Sequence, residues 1–204
     1  MALISGMKTA AEYLEKTESA TRKLFEGIDS YLEVIRRLAK YDVWVRENET
    51  DIAASLKAQR DFVAESFAHA TLCGAVLQVA HKALECYSTN TAVAAEWTSL
   101  IRQGTTAVPF CCGRLVRGVP LGLVIYAARN QHAHFDDDEL RDPNLSIFNR
   151  LATNHGIASP TPFRDPVFDL EHPRLVSFAS NVTGLIEWRS YAAYENDIRV
   201  LLDI

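Results

Sequence analysis

The sequence has no hydrophobic run long enough to cross a membrane as a helix. Hydrophobic residues make up 48% of its 204 residues, yet the longest purely apolar stretches are about half of the ~20 residues that a membrane helix needs. The first residues, MALISGMK, lack the charged start and the long apolar centre of a secretory signal peptide. These absences argue against a membrane protein and against secretion, so we predict a cytoplasmic location.

Cysteine spacings typical of redox and zinc sites are also absent. The four cysteines are Cys73, Cys86, Cys111 and Cys112, and they form neither a CxxC pair nor a zinc-finger pattern. We interpret them as buried thiols in a reducing compartment. P-loop and GxSxG patterns do not occur either, so nothing supports an ATPase or a serine-hydrolase triad. We expect neither a metal ion nor a cofactor.

Lysine is missing from the second half of the chain. The last lysine is Lys82, and from Arg102 onward all ten cations are arginines. The net charge of −5 argues against bulk, non-specific binding of nucleic acid. Arginine offers a planar fork of donors that suits phosphate, so one interpretation is a phosphate-facing patch of Arg114, Arg117 and Arg129. The other is a simple drift in composition.

Hydrophobic periodicity predicts two long helices joined by a tight turn. In the first, apolar residues recur at three- and four-residue steps, at positions 24, 28, 31, 35 and 38. We expect helices over 8–47 and 52–85, with Thr50 or Asp51 as the N-cap of the second. Two long helices with so short a connection form an antiparallel hairpin.

Shorter helices are expected after the hairpin, and no alternating strand pattern occurs. The pair Asp142-Pro143 is a helix start signal, Gly156 is a stop signal, and Gly184 is a point where the last helix can bend. The predicted ranges are 91–103, 120–134, 143–155 and 173–204. The fold class is therefore all-α, a helical bundle in one domain over residues 1–204, built on the long antiparallel hairpin.

The most informative stretch is the end of the predicted helix over 120–134. Its apolar run, 119–128, is followed at once by Arg129, Asn130, His132 and His134. A helix that is apolar on all sides is buried inside a protein. The run therefore indicates a rigid core helix that presents a guanidinium, an amide and two imidazoles at its own end.

The segment 129–134, Arg-Asn-Gln-His-Ala-His, has the form Arg, polar residue, three residues, His. It resembles the signature of the HEPN superfamily (higher eukaryote and prokaryote nucleotide-binding domains), and a long helical hairpin ahead of the motif-bearing helix resembles that family's architecture. The resemblance implies an all-helical, often dimeric protein and a metal-independent endoribonuclease whose site lies at a two-fold interface. It also implies a toxin or phage-defence setting, with an antitoxin as a candidate partner.

The resemblance assigns roles to three residues. His134 would be the base or acid, Arg129 the phosphate clamp, and Asn130 an orienting or phosphate-contacting amide. The residue types suit RNA cleavage without metal, because a histidine accepts the proton of the 2′-OH near neutral pH. An arginine stabilises the charge that develops on phosphorus. The expected product carries a 2′,3′-cyclic phosphate.

Helix geometry leaves one question open at this motif. Residues five apart are rotated by about 140°, so Arg129 and His134 do not share a helical face. Asn130 and His134 do share one, and Tyr126 continues it. Either the helix ends near Ala133, or Arg129 reaches round the helix, or a second protomer completes the site.

Four residues near the motif are candidate substrate contacts: Arg114, Arg117, His132 and Tyr126. For His132 there are two interpretations, a second acid–base group or a solvent-exposed or structural residue. The segment 113–118 either cradles a phosphate ahead of a helix N-terminus or is a plain connecting loop. The acidic run 136–138 is either a solvated turn or a partner for His134, Arg114 or Arg117.

Two rival interpretations accompany the nuclease. A HEPN-like bundle without activity would bind a nucleotide, RNA or a partner protein, which the acidic net charge favours. A metal site would combine His132, His134 and the acidic run, although side chains two apart on a helix diverge by about 200°.

A second Arg-x4-His match at 150–155 has Leu151 where the family has a polar residue, and we interpret it as an ordinary helix end.

Overall fold

The computed structural model describes residues 6–48, 52–135, 140–153, 164–170 and 177–204. The fold is an all-α bundle with one very short β-hairpin, so the predicted fold class is confirmed. The elements in chain order are α1 (Ala10–Asn48), α2 (Ile52–Tyr87), β1 (Leu115–Val116), β2 (Val119–Pro120), α3 (Leu121–Ala133), α4 (Asn144–Ala152), α5 (Ala179–Leu185) and α6 (Tyr191–Leu202).

The predicted hairpin of long helices is present as α1 and α2. Thr9 and Glu12 begin α1 with a capping box, in which Thr9 Oγ1 accepts from the Glu12 N–H at 3.1 Å and Glu12 Oε2 accepts from the Thr9 N–H at 3.2 Å. The start of α1 and the end of α2 lie in the core, where the Tyr13 hydroxyl donates to the Val79 carbonyl at 2.9 Å. The proposed N-cap of α2, residues 50–51, lies outside the described residues.

Helix α3 is buried on nearly all sides, as its apolar run predicted. It lies antiparallel to α2, since Gly74 contacts His132 while Gln78 contacts Arg129 further back along α3. Close approach at Gly74 requires glycine, because a methyl group there would lie 2.0 Å from Nε2 of His132. The core thus fixes the polar end of α3 against α2.

The helix predicted over 91–103 is wrong, because the segment is a loop with a 3₁₀ turn at Ala95–Trp97. Side chains satisfy its carbonyls where helical hydrogen bonds would otherwise do so. The Asn90 amide donates to the carbonyls of Ala92 and Val108, and the Gln103 amide donates to the carbonyl of Thr91. Periodicity alone carries no sign of these longer-range bonds.

The β-hairpin of β1 and β2 is a feature that the sequence analysis missed. Val116 pairs with Val119, and the two residues between them, Arg117 and Gly118, have φ of +49° and +76°. Positive φ at both central positions is the type I′ turn that suits a tight hairpin. Strands of two residues are too short to show an alternating pattern.

The single C-terminal helix predicted over 173–204 is wrong in its extent, because the chain breaks between α5 and α6. The break lies after Gly184, where Glu187 has φ of +63°. Ser190 then caps α6 by accepting from the Ala193 N–H at 3.3 Å. The buried Trp188 donates its indole N–H to Oδ2 of Asp197 at 2.8 Å, which holds the break in place.

The predicted helix over 143–155 is confirmed as α4, which starts one residue later and ends earlier than predicted, at Asn144–Ala152. Asp142 acts near its start as expected, since Oδ1 accepts from the Ser146 N–H at 3.2 Å. Gly156 and the start of the C-terminal range, at 173, lie outside the described residues.

The four cysteines are free thiols, but the predicted burial holds for only two of them. Cys73 and Cys86 are buried, whereas Cys111 and Cys112 are half-buried. Burial raises the pKa of the Cys73 and Cys111 thiols to about 11. Such thiols are protonated at neutral pH and are poor nucleophiles.

By length and composition alone, the segment Arg60–Tyr87 of α2 passes for a membrane span. In its second half, Cys73, Val76, Leu77 and Ala80 are fully buried in the protein. A core helix meets the same criteria of length and hydropathy as a span.

Candidate functional site at the end of helix α3

The motif occupies the last turn of α3 and the residue that follows it. The helix ends at Ala133, and His134 leaves helical geometry with φ of −130° and ψ of 33°. The His134 N–H still donates to the carbonyls of Asn130 and Gln131, at 3.1 and 3.3 Å. Of the three arrangements that helix geometry left open, a helix end near Ala133 is present, and a site completed by a second protomer stays a prediction. Its side chain is exposed.

Arg129 and Asn130 form a hydrogen-bonded pair that joins three helices. Arg129 Nη1 donates to Oδ1 of Asn130 at 3.1 Å, and Arg129 Nε donates to Oε1 of Gln78 on α2 at 2.6 Å. Asn130 Nδ2 donates to Oδ1 of Asn144, at the start of α4, at 3.4 Å. All four side chains are half-buried. The guanidinium therefore lies in a defined position at the edge of the core.

Tyr126 lies one turn before Asn130 and packs against an aromatic cluster. Its ring stacks on His81 of α2 with ring centroids 5.8 Å apart and contacts Phe110 at 5.0 Å. Burial, and secondly the positive charge of Arg129, lower the pKa of His81 to about 4. His81 is therefore neutral at pH 7, and its Nδ1 has no hydrogen-bond partner among the described residues.

His132 points into the interface between helices. Its Nδ1 lies 2.8 Å from Oγ of Ser177, just before α5, and its ring rests on the backbone of Gly74. Burial lowers its pKa, so the ring stays neutral. The contacts with Ser177 and Gly74 favour the structural role of the two that the sequence left open.

Arg114 and Arg117 lie at the opposite end of α3 from His134. Arg114 donates to both carboxylate oxygens of Asp197 on α6, at 3.2 and 3.0 Å. Arg117 Nη1 donates to the Leu151 carbonyl at 2.6 Å and to Asp165 Oδ2 at 2.8 Å. The helix between the two ends is roughly 18 Å long at the usual rise per residue. The structure does not assemble the expected patch of these two arginines with Arg129.

The segment 113–118 contains β1 and the hairpin turn, and the carbonyls of Arg114 within it and of Cys112 just before it already accept hydrogen bonds from the N-terminus of α3. The Leu121 N–H donates to the Arg114 carbonyl at 2.8 Å, and the Gly122 N–H donates to the Cys112 carbonyl at 3.0 Å. Backbone N–H groups that bind phosphate at a helix start must be unoccupied. These contacts favour the plain-loop interpretation over a phosphate cradle.

Two residues of the cluster escaped the sequence analysis, Gln78 and Asn144. Gln78 is the only polar residue between Gly74 and Ala80, which is the one signal that marks it. Its sequence distance from Arg129 hides the contact. The acidic run 136–138 and His155 of the second motif match lie outside the described residues.

Metal-binding geometry is absent from the described part of the chain, where no three His, Cys, Asp and Glu side chains converge. The histidines and cysteines of α2 are buried core residues. Cys73 Sγ lies 3.8 Å from Nε2 of His69, and both side chains are at most 9% exposed.

An exposed apolar surface adjoins the motif. Phe62, Val63 and Phe67 of α2 are 37%, 67% and 54% exposed, and Phe135 is 36% exposed. The rings of Phe67 and Phe135 meet edge to face with centroids 6.3 Å apart. We call these four residues the α2 apolar surface. Its member Phe135 directly follows His134 in the sequence.

Comparisons of the chain with family models, with curated proteins and with solved structures found no significant match. The HEPN resemblance therefore rests on the motif at 129–134 and on the order of helices around it.

Proposed function

We propose that the protein is a metal-independent endoribonuclease of the HEPN type. The observation that carries the proposal is the pairing of Arg129 with Asn130 at the edge of the core, one turn from an exposed histidine at the helix end. A guanidinium held by hydrogen bonds and a solvent-facing imidazole at the same helix end supply the two groups that phosphodiester cleavage by an internal hydroxyl needs.

In the proposed reaction His134 takes the proton of a ribose 2′-OH while solvent water protonates the leaving 5′ oxygen, or water takes the 2′-OH proton while His134 protonates the leaving oxygen. The 2′ oxygen bonds to the adjacent phosphorus while the bond from phosphorus to the 5′ oxygen breaks, which leaves a 2′,3′-cyclic phosphate and a 5′-OH. Arg129 binds the non-bridging oxygens as their charge increases. Asn130 holds Arg129 through its side-chain oxygen.

We further propose that two copies associate through the α2 apolar surface. Its four residues adjoin His134, so an isologous dimer would place two motifs at one interface. Apolar side chains of this size gain free energy when a partner covers them. Dimerisation would also bring residues from both copies to each phosphate.

RNA cleavage in EDTA by the purified protein tests the activity, with wild type beside His134→Ala and Arg129→Ala. We expect wild type to leave cyclic-phosphate ends and each variant to lose on the order of a hundredfold or more in rate, as for other acid–base and charge-stabilising groups. The control is Arg199→Ala, which removes an exposed arginine whose partner is Glu195 in its own helix. Cleavage that persists in His134→Ala would contradict the proposed site, and loss of wild-type cleavage in EDTA would point to a metal.

The second candidate is a HEPN-like bundle without activity that binds a nucleotide, RNA or a partner protein. The α2 apolar surface and the net charge of −5 favour a protein partner. Failure of wild type to cleave several RNA pools, together with unchanged RNA affinity in His134→Ala, would support it.

A toxin role with a restraining antitoxin, or a role in phage defence, depends on the nuclease proposal alone. Growth arrest when the protein is expressed, relieved by His134→Ala, would support such a role.

A further inference from the structure

The hydrogen bonds around Arg129 have a direction that chemistry imposes. A guanidinium donates and has no acceptor, so the atoms that it meets on Gln78 and Asn130 must be amide oxygens. Because the Asn130 oxygen faces Arg129, its amide nitrogen faces Asn144 and must meet that side chain's oxygen. The donor and acceptor of every hydrogen bond from Gln78 to Asn144 are therefore fixed by the guanidinium of Arg129.

This arrangement leaves donors in excess. Each of the three amide oxygens accepts a hydrogen bond within the cluster. The Nη2 group of Arg129 and the Nδ2 group of Asn144 have no acceptor among the described residues, although both side chains are half-buried. Unpaired donors at the edge of a core, beside a positive charge, are complementary to an anion.

We infer that Gln78 is a positioning residue, which holds the Arg129 guanidinium for a phosphodiester anion through the hydrogen bond from Nε to Oε1. Without this acceptor on α2, only the bond to Asn130 would orient the guanidinium, and the flexible arginine side chain would sample other rotamers. Ordering a long side chain in advance reduces the entropy lost on binding. The inference rests on the proposed phosphate-binding role of Arg129 and does not require cleavage.

Binding of a fluorescein-labelled oligodeoxythymidine, measured by fluorescence anisotropy, tests this role. The oligomer offers phosphodiesters but has no 2′-OH, so the proposed reaction cannot consume it. We expect Gln78→Leu to raise the Kd about tenfold, the size of effect expected when an arginine side chain must be ordered on binding. Gln78→Glu keeps an acceptor for Arg129 but adds a negative charge, and should weaken binding at least as much.

A double-mutant cycle separates positioning from general damage to the fold. If Gln78 acts through Arg129, then Gln78→Leu in the Arg129→Ala background should change the Kd by less than about twofold. The matched control is Gln103→Leu, an exposed glutamine that bonds only a loop carbonyl, and it should leave the Kd unchanged.

The outcomes divide clearly between the two proposals. Additive losses in the cycle, equal affinity in Gln78→Leu and wild type, or no binding of the oligomer by wild type would each overturn the role of Gln78. Failure of RNA cleavage with intact, Gln78-dependent binding would instead remove the nuclease proposal and leave this inference standing.

Discussion

At the scale of single residues, His81 shows how burial sets chemistry. Its ring packs against Phe110 and Tyr126, which also contact each other, and Arg129 is close enough to disfavour a second positive charge. Glu85 opposes this shift from the same helix, where its Oε2 lies 3.9 Å from Nδ1 of His81. Burial and Arg129 outweigh it, so the pKa falls to about 4.

This shift predicts a loss of stability in acid. Because the folded pKa of His81 lies below the unfolded value of about 6.5, the unfolded state binds a proton first as pH falls. The contribution of His81 to the free energy of unfolding should therefore decline from pH 6.5 to pH 4, by up to about 3 kcal/mol. Urea unfolding across that range measures it.

The comparison variant is His81→Gln, which cannot titrate. His69 and His132 are also buried with lowered pKa values, so some acid sensitivity should remain in the variant. A pH dependence as steep in His81→Gln as in wild type would show that His81 does not carry this effect.

At the scale of elements, the start of α3 depends on a close backbone contact. Gly122 lies against the turn that ends at Phe110, and a methyl group at this position would lie 2.3 Å from the Phe110 carbonyl oxygen. Two backbone segments can approach so closely only at a glycine.

Gly122→Ala should therefore destabilise the protein by roughly 1–3 kcal/mol, the range for overpacking a close-packed core. Chemical denaturation measures the change. The matched variant is Gly184→Ala in α5, where nothing lies within 4 Å of the added methyl. It should be neutral or stabilising by up to about 1 kcal/mol, since alanine favours the helix. Equal effects at the two positions would contradict the close-contact argument.

Elements also show where sequence patterns succeed. The hairpin of α1 and α2 and the buried helix α3 were predictable because each has its own long apolar periodicity. The loop at 91–103 and the break between α5 and α6 were not, because contacts from distant segments decide them. Trp188, for example, needs the carboxylate of Asp197.

At the scale of the whole molecule, the α2 apolar surface is exposed to solvent in the single chain. Val63 is its most exposed member at 67%. We predict that Val63→Asp shifts the protein from dimer to monomer in analytical ultracentrifugation, because a buried, unpaired carboxylate costs several kcal/mol at an apolar interface.

The matched control is Val200→Asp on α6, where the valine is 64% exposed and lies outside the α2 apolar surface. It should leave the oligomeric state unchanged. A wild-type monomer at high protein concentration, or a dimer that survives Val63→Asp, would remove the proposed interface.

Local pattern by itself determined the all-helical class, the long hairpin and the placement of Arg129, Asn130 and His134 at the end of a buried helix. It could do so because periodicity and a motif of six residues are properties of neighbours in the chain. Tertiary structure alone decided that Gln78 and Asn144 join this cluster, that His132 packs against Gly74, and that Asp197 and Asp165 occupy Arg114 and Arg117. These contacts join residues far apart in the chain, and only the packing of one helix against another brings them within hydrogen-bonding distance.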